Sequence, residues 1–436
     1  MTLSRRILLA YALPALPLAA LYFPTYVYVA PFYAGERGVA LAALGALFIG
    51  VRLLDAVTDP LMGWISDRTP ARFGRRKLWL AVSAPLVGLS TWMLLVPPED
   101  AGFGHAAVWL SALTLSWTVA LTPYYAWGAE IDAGYSARAR VAAWREAMTL
   151  LGTVVAVVLY NTADGAASGL RAVALLVAFG APVCALAALV GAPEPQDFSR
   201  ARLSLREAAA ALRGNRPFRR LIAAYVVNGA ANALPAGLFL FFIEDYLQAP
   251  DAGWLLLIYF LCAIAAIPVW TWLAKRLSKH RAWGIAMLYA CAVFAFVPLL
   301  GPGDVVAFTV ICVLTGFALS ADLALPTAIQ ADVVDVDTAA TGEQRTGLFF
   351  ALWSVATKAA LAVAGGAALI VLDVVGFRPG EANDPAALRA LALLYAAAPV
   401  ALKIVAVAMM WRFPLDRRAH DALRARIEAS ADRAAA

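Results

Sequence analysis

The stretch Arg52-Leu-Leu-Asp55-Ala-Val-Thr58-Asp59-Pro60-Leu-Met-Gly63-Trp-Ile-Ser-Asp67-Arg68-Thr-Pro-Ala-Arg72-Phe-Gly74-Arg75-Arg76-Lys77 joins two chemistries end to end. Its first half belongs to an apolar run over 40–66 that nevertheless holds an arginine and two aspartates. Its second half is a basic turn, after which another apolar run covers 78–97. Runs of about twenty apolar residues are what a hydrocarbon core of about 30 Å requires of a spanning helix. Helix is the conformation they must take, because lipid offers the backbone no hydrogen-bond partner. The basic turn between them marks the cytoplasmic side, where Lys and Arg accumulate.

Working outward, the same alternation recurs along the chain. The expected spans are 7–33, 40–66, 78–97, 106–131, 141–162, 170–192, 219–247, 252–274, 282–301, 304–333, 346–373 and 388–412. The 436 residues are 63% hydrophobic and 15% charged, with a mean hydropathy of +0.75. Soluble domains run about 45–50% apolar and about 25% charged, so a soluble globular class is excluded. The expectation is an all-α, multi-pass protein with twelve transmembrane helices. Prolines inside the spans (Pro60, Pro123, Pro235, Pro268, Pro326) mark kinks, which membrane helices tolerate. The N-terminal apolar run follows Arg5-Arg6 and continues past Pro14, Pro17 and Pro24 to Phe32. That exceeds the about 7–15 residues of a signal-peptide core, so it reads as the first span.

The net charge of +6 lies in the short connections and therefore reads as topology, with no nucleic-acid partner. Basic clusters at 5–6, 68–77, 138–140, 193–218, 275–281 and from Arg412 onward fall on one side, which places both termini in the cytoplasm. The long 193–218 segment reads as a linker between a six-helix bundle over 1–192 and another over 219–413, with a cytoplasmic tail at 414–436 whose apolar spacing suggests an amphipathic helix. Internal repetition supports two related halves. Trp127-Gly-Ala-Glu-Ile-Asp132 resembles Gln330-Ala-Asp-Val-Val-Asp335, and Pro60…Trp64…Asp67-Arg68 resembles Pro268…Trp272…Lys275-Arg276.

Ionised side chains at mid-bilayer are costly, so each one is a functional candidate. Asp55 and Asp59 share a helix face by their i,i+4 spacing, with Arg52 one turn before. Two buried carboxylates so close repel unless a proton or a metal ion neutralises them, and Thr58 adds a neutral oxygen of the kind hard cations accept. The bland alternative is a structural Arg52–Asp55 pair with Asp59 at a kinked end. Lys358 lies deep in the eleventh span and needs a negative partner, either an empty carboxylate of the second span or another acid such as Asp322. Asn228 and Asn232 share a face of the seventh span and suit either a ligand or interhelical hydrogen bonds. The bases of the 68–77 turn, with Asp67, form a candidate cytoplasmic gate. Their natural partners are Glu130, Asp132, Asp332 and Asp335.

These residues carry a specific resemblance. Gly63…Asp67-Arg68…Gly74-Arg75-Arg76 resembles the loop signature of the major facilitator superfamily. Asp55-Ala-Val-Thr-Asp59-Pro-Leu-Met-Gly63-Trp, the Trp127 run and Ala331-Asp-Val-Val-Asp335…Gly342…Arg345…Lys358 resemble the glycoside-pentoside-hexuronide:cation symporters within it. The resemblance implies alternating-access symport of a small solute with Na+ or H+. It implies a cation site at Asp55, Thr58, Asp59 and Thr118 with Lys358 beside it, a substrate-side Arg145, and Arg345 among the gate residues. The chain departs from the melibiose-type carriers at Ala19 and Leu121, where those carriers have acids. The remaining substrate candidates are Tyr26, Tyr125, Trp127, Arg145, Asn228, Asn232, Asp322 and Trp353. A sugar or glycoside is the expected solute, and an amphipathic lysolipid-like or anionic solute is the alternative, because a related vertebrate branch carries lysolipids.

An enzyme is not expected. His105, His280 and His420 are scattered, the four cysteines sit in apolar runs without metal spacing, and no nucleophile–base set appears. No cofactor beyond the coupling ion is expected. The setting is a bacterial-type inner membrane, and the working form a monomer.

Overall fold

The computed structural model describes residues 4–70, 74–131, 135–194, 214–249, 254–341 and 346–416, with 419, 422 and 423 beyond them. Among these residues, 12 helices are long and apolar enough to cross a membrane. They are α1 (Arg5–Val27), α2 (Leu41–Arg68), α3 (Lys77–Leu95), α4 (Phe103–Glu130), α5 (Tyr135–Asn161) and α6 (Ala166–Gly191). After the connection come α7 (Arg216–Tyr246), α8 (Trp254–Arg276), α9 (Lys279–Leu299), α10 (Val305–Thr341), α11 (Thr346–Val374) and α12 (Pro385–Met410). The 195–213 stretch, most of the expected linker, and most of the expected tail helix lie outside the described residues.

Large apolar side chains such as Phe179, Val190, Val306 and Val374 stay exposed on these helices. In water so many would be a liability, whereas on a spanning helix they meet lipid. The prolines Pro60, Pro123, Pro235, Pro268 and Pro326 all lie inside helices, as a membrane fold permits. The main departures from the expected spans are in α1, which is broken at Leu13-Pro14, and α10, which runs on to Thr341.

The chain divides into two compact units, residues 1–200 with 369–383 and residues 201–368 with 384–436. Packing in the first is centred on Tyr11, Tyr124 and Trp127. The Tyr11 and Tyr124 rings stack at 4.8 Å, and each hydroxyl donates to the other residue's carbonyl oxygen, at 3.1 and 2.8 Å. Small residues allow this closeness: a Cβ on Gly152 of α5 would overlap the Leu16 carbonyl oxygen of α1. The second unit packs Phe218, Trp283, Val333, Phe349 and Met410 together. There α7 and α12 each contain a π-helical segment, Phe242–Tyr246 and Leu393–Ala397, which meet through stacked Phe242 and Tyr395 rings 4.2 Å apart.

Candidate cation site and polar clusters

In the first unit, α2 and α4 bring Asp55, Asp59 and Thr118 together. Asp55 is 3% exposed, and its Oδ2 accepts from Arg52 at 2.7 Å. The Thr118 hydroxyl lies 3.0 Å from Asp55 Oδ1 and 3.0 Å from Asp59 Oδ1. The guanidinium of Arg52 also covers the Tyr26 ring, 4.6 Å from its centroid. Thr58 turns its hydroxyl back to the Leu54 carbonyl, at 3.0 Å, which leaves an oxygen lone pair but no proton to offer.

A hydroxyl carries one proton and can donate to only one of the two carboxylates. The single hydroxyl therefore ties the two carboxylates together, 3.0 Å from each. Two carboxylates brought this close repel when both are ionised, and a proton or a cation between them relieves that repulsion.

At the α2–α3 turn, Arg76 is 4% exposed and donates to Glu130 of α4 through Nη2 and Nε, at 2.5 and 3.1 Å. It also reaches Asp67 at 2.8 Å and the Ser66 hydroxyl at 2.7 Å. Burial works against the Arg76 charge, but the hydrogen bonds and charge of Glu130, then Asp67, outweigh it and hold the guanidinium above its usual value. Arg75 reaches Asp67 at 3.2 Å, and Arg68 lies over its own Trp64. The second unit repeats this relation: Lys279, opening α9, contacts both Asp332 carboxylate oxygens on α10 at 2.7 Å. Asp332, expected to face the basic turn, has Lys279 of its own unit as an ion-pair partner. Asp335 is partly buried near the end of α10, and Asp132 and Arg345 lie outside the described residues.

The substrate candidates fall into separate groups. Arg145 lies over the Tyr125 ring at 4.3 Å and pairs with Glu146 at 2.7 Å. Trp127 has no exposed surface, and its indole donates to the Pro193 carbonyl at 2.9 Å. Trp353 is buried against Tyr225, with ring centroids 3.8 Å apart. Lys358 is partly buried on α11. Ala19 is buried, and Leu121 packs against the Tyr11, Tyr124 and Trp127 cluster, so both sites are apolar.

Asn228, Asn232 and Asp322 do come together, around a residue that sequence reasoning missed. Lys403 of α12 donates to Asn228 Oδ1 at 2.8 Å and to Asp322 Oδ2 at 3.0 Å. Asp322 accepts further from Asn232 at 3.0 Å and from the Trp283 indole at 2.6 Å. Lys403 sits within the apolar run 388–412, so the rule that flagged Lys358 would have found it.

The family described as "MFS/sugar transport protein" matches residues 10–417. The zebrafish (Danio rerio) sodium-dependent lysophosphatidylcholine symporter 1-B is 26% identical over 418 residues, covering 85% of this chain and 79% of its own. A putative glycoside/cation symporter of Escherichia coli, YagG, is 25% identical, covering 86% of this chain and 84% of its own. Among solved structures, a bacterial homologue of the human lysosomal transporter Spinster, inward-facing, aligns with a TM-score of 0.69 at 13% identity, over 94% of this chain and 98% of its own. The inward-open xylose transporter XylE of E. coli aligns at 0.60 and 14% identity, over 96% of this chain and 98% of its own.

Proposed function

The chain belongs to the MFS/sugar transport protein family and is a multi-pass, cation-coupled symporter, not an enzyme; from that premise we propose that it couples one monovalent cation, Na+ or H+, at Asp55, Asp59 and Thr118. The observation that carries this reading is the single Thr118 hydroxyl set 3.0 Å from both carboxylates. One cation there would relieve the repulsion of the two carboxylates, which returns when the site is empty. Arg52 holds Asp55, Thr58 adds a neutral oxygen next to Asp59 in the chain, and Lys358 is the coupling charge of the second unit.

The test is Asp59→Cys and Asp55→Cys in the full-length protein. Each should abolish cation-driven uphill uptake while the protein stays folded and membrane-inserted. Undiminished uphill uptake in both variants would sink the assignment.

The solute is a small glycoside or sugar, for which Arg145 with the Tyr125 ring is the candidate contact of the first unit and Asn228 and Asn232 are those of the second, and the location is a bacterial-type inner membrane. The likeness to the E. coli glycoside/cation symporter supports this reading. A second reading, an amphipathic lysolipid-like solute, is favoured by apolar Ala19 and Leu121 and by the likeness to the lysophosphatidylcholine symporters. A thermal-shift screen of purified protein against sugars and lysolipids, with and without sodium, separates the two, since a ligand that binds the native state raises its stability.

A further inference from the structure

Two repeat-related helix ends carry the same pair of side chains. Pro60-Leu-Met-Gly-Trp64-Ile-Ser-Asp-Arg68 closes α2, and Pro268-Val-Trp-Thr-Trp272-Leu-Ala-Lys-Arg276 closes α8. In each, a tryptophan follows the helix proline by one turn and an arginine follows the tryptophan by one more, so indole and guanidinium lie on one face. Trp64 is 54% exposed and Trp272 is 55% exposed, far more than a core tryptophan would be. The Arg68 guanidinium lies 4.0 Å from the Trp64 ring centroid, and that of Arg276 lies 5.3 Å from the Trp272 ring centroid.

What sets these arginines apart is the lack of an acid. Arg75, Arg76 and Lys279 at neighbouring helix ends are paired with Asp67, Glu130 and Asp332. Among the described residues neither Arg68 nor Arg276 has a carboxylate partner; the hydrogen bond of Arg68 goes to the Trp64 carbonyl at 3.4 Å. Each guanidinium is therefore held by its indole with most of its donor fork unused. A planar fork of this kind matches the oxygens of a phosphate. An indole below, with apolar body and polar edge, belongs at the boundary between acyl chains and headgroups.

We propose that Trp64–Arg68 and Trp272–Arg276 are two binding sites, one on each unit, for the phosphate of anionic phospholipid headgroups. The indole fixes the depth and steadies the cation, and the arginine contacts the phosphate. Duplication of the halves produced the site twice, along with the proline that precedes it.

The test uses the full-length protein in nanodiscs of mixed phosphatidylglycerol and phosphatidylcholine, with retained lipid counted by native mass spectrometry. Wild type should retain phosphatidylglycerol preferentially, and added inorganic phosphate should not displace it. Arg68→Gln and Arg276→Gln should each weaken retention at one site about fivefold, the ~1 kcal/mol of one basic side chain at an anionic surface. Trp64→Leu and Trp272→Leu, which leave net charge unchanged, should lower the preference as well. Arg216→Gln removes an exposed arginine at the start of α7 that, among the described residues, lies over no indole, and should leave the preference as it is. An equal loss in Arg216→Gln, displacement by inorganic phosphate, or an unchanged preference in all four site variants overturns the proposal.

Discussion

Lys403 of α12 and Asp322 of α10 form an ion pair with Nζ 3.0 Å from Oδ2, each side chain only 10% exposed. The pair is closed in charge: one cation meets one anion, and Asn228, Asn232 and Trp283 supply the further hydrogen bonds. In the first unit the Asp55 carboxylate is held by Arg52 and shares the Thr118 hydroxyl with Asp59.

For the closed pair we expect Lys403→Met to cost about 3–5 kcal/mol, because it strands the Asp322 carboxylate in a buried site. Adding Asp322→Asn to the same chain removes the stranded charge and should restore most of the loss. Thermal unfolding of the singles and the double measures this. A double variant no more stable than the worse single would mean that the two residues do not act as a pair.

At the Asp55–Asp59 cluster the prediction concerns Thr118→Val, which keeps the side-chain shape and removes the oxygen. We expect cation affinity, measured as cation-dependent thermal stabilisation, to fall about tenfold, the scale of one hydrogen bond to a charged group. Thr58→Val should have the smaller effect, since that hydroxyl already serves the Leu54 carbonyl. The reverse ranking would assign the ion to the other oxygen.

Much of this was legible in the sequence, and the physical reason differs from residue to residue. The i,i+4 spacing of Asp55 and Asp59 puts them on one face in any helix, so their proximity required no tertiary information. Thr118 is 59 residues away from Asp59, and only the family resemblance linked them. The intramembrane charge rule was sufficient to find Lys403, yet it does not choose among acids, which is why Asp322 could be set against Lys358 when its structural partner is Lys403. Trp127 looked like a cavity aromatic because hydropathy does not tell an inward face from a packed one. Its indole bond to Pro193 belongs to tertiary packing.

The basic turn gives a ranking. Arg76 is buried and serves Glu130, Asp67 and Ser66, whereas the ion pair of Arg75 is with Asp67, which is largely exposed. Arg76→Gln should therefore be strongly destabilising, by about 3 kcal/mol, and, if these pairs hold a cytoplasmic gate, should raise cysteine labelling from that side. Arg75→Gln should cost less, because Asp67 keeps its contact with Arg76 when Arg75 is replaced. Equal effects of the two substitutions, or unchanged labelling in Arg76→Gln, would count against a gate held at Arg76.

The last prediction concerns the solute. Carboxylates bind sugar hydroxyls well because an ionised acceptor makes hydrogen bonds roughly twice as strong as a neutral one. The two positions where melibiose-type carriers have acids are here Ala19, which is buried, and Leu121, which packs against Tyr11, Tyr124 and Trp127. Neither can accept a hydrogen bond, and Leu121 belongs to an apolar cluster in which a carboxylate would stand unpaired. Melibiose should therefore give no sodium-dependent thermal shift with the purified protein, while a solute presenting an apolar face toward Leu121, either an aryl glycoside or a lysolipid, should give one. Leu121→Ala should weaken that solute, because it removes apolar contact, and leave the cation-dependent shift unchanged, because the ion site lies with Asp55, Asp59 and Thr118. Tight sodium-dependent binding of melibiose would mean that other groups hold the sugar and that these two positions do not select the solute.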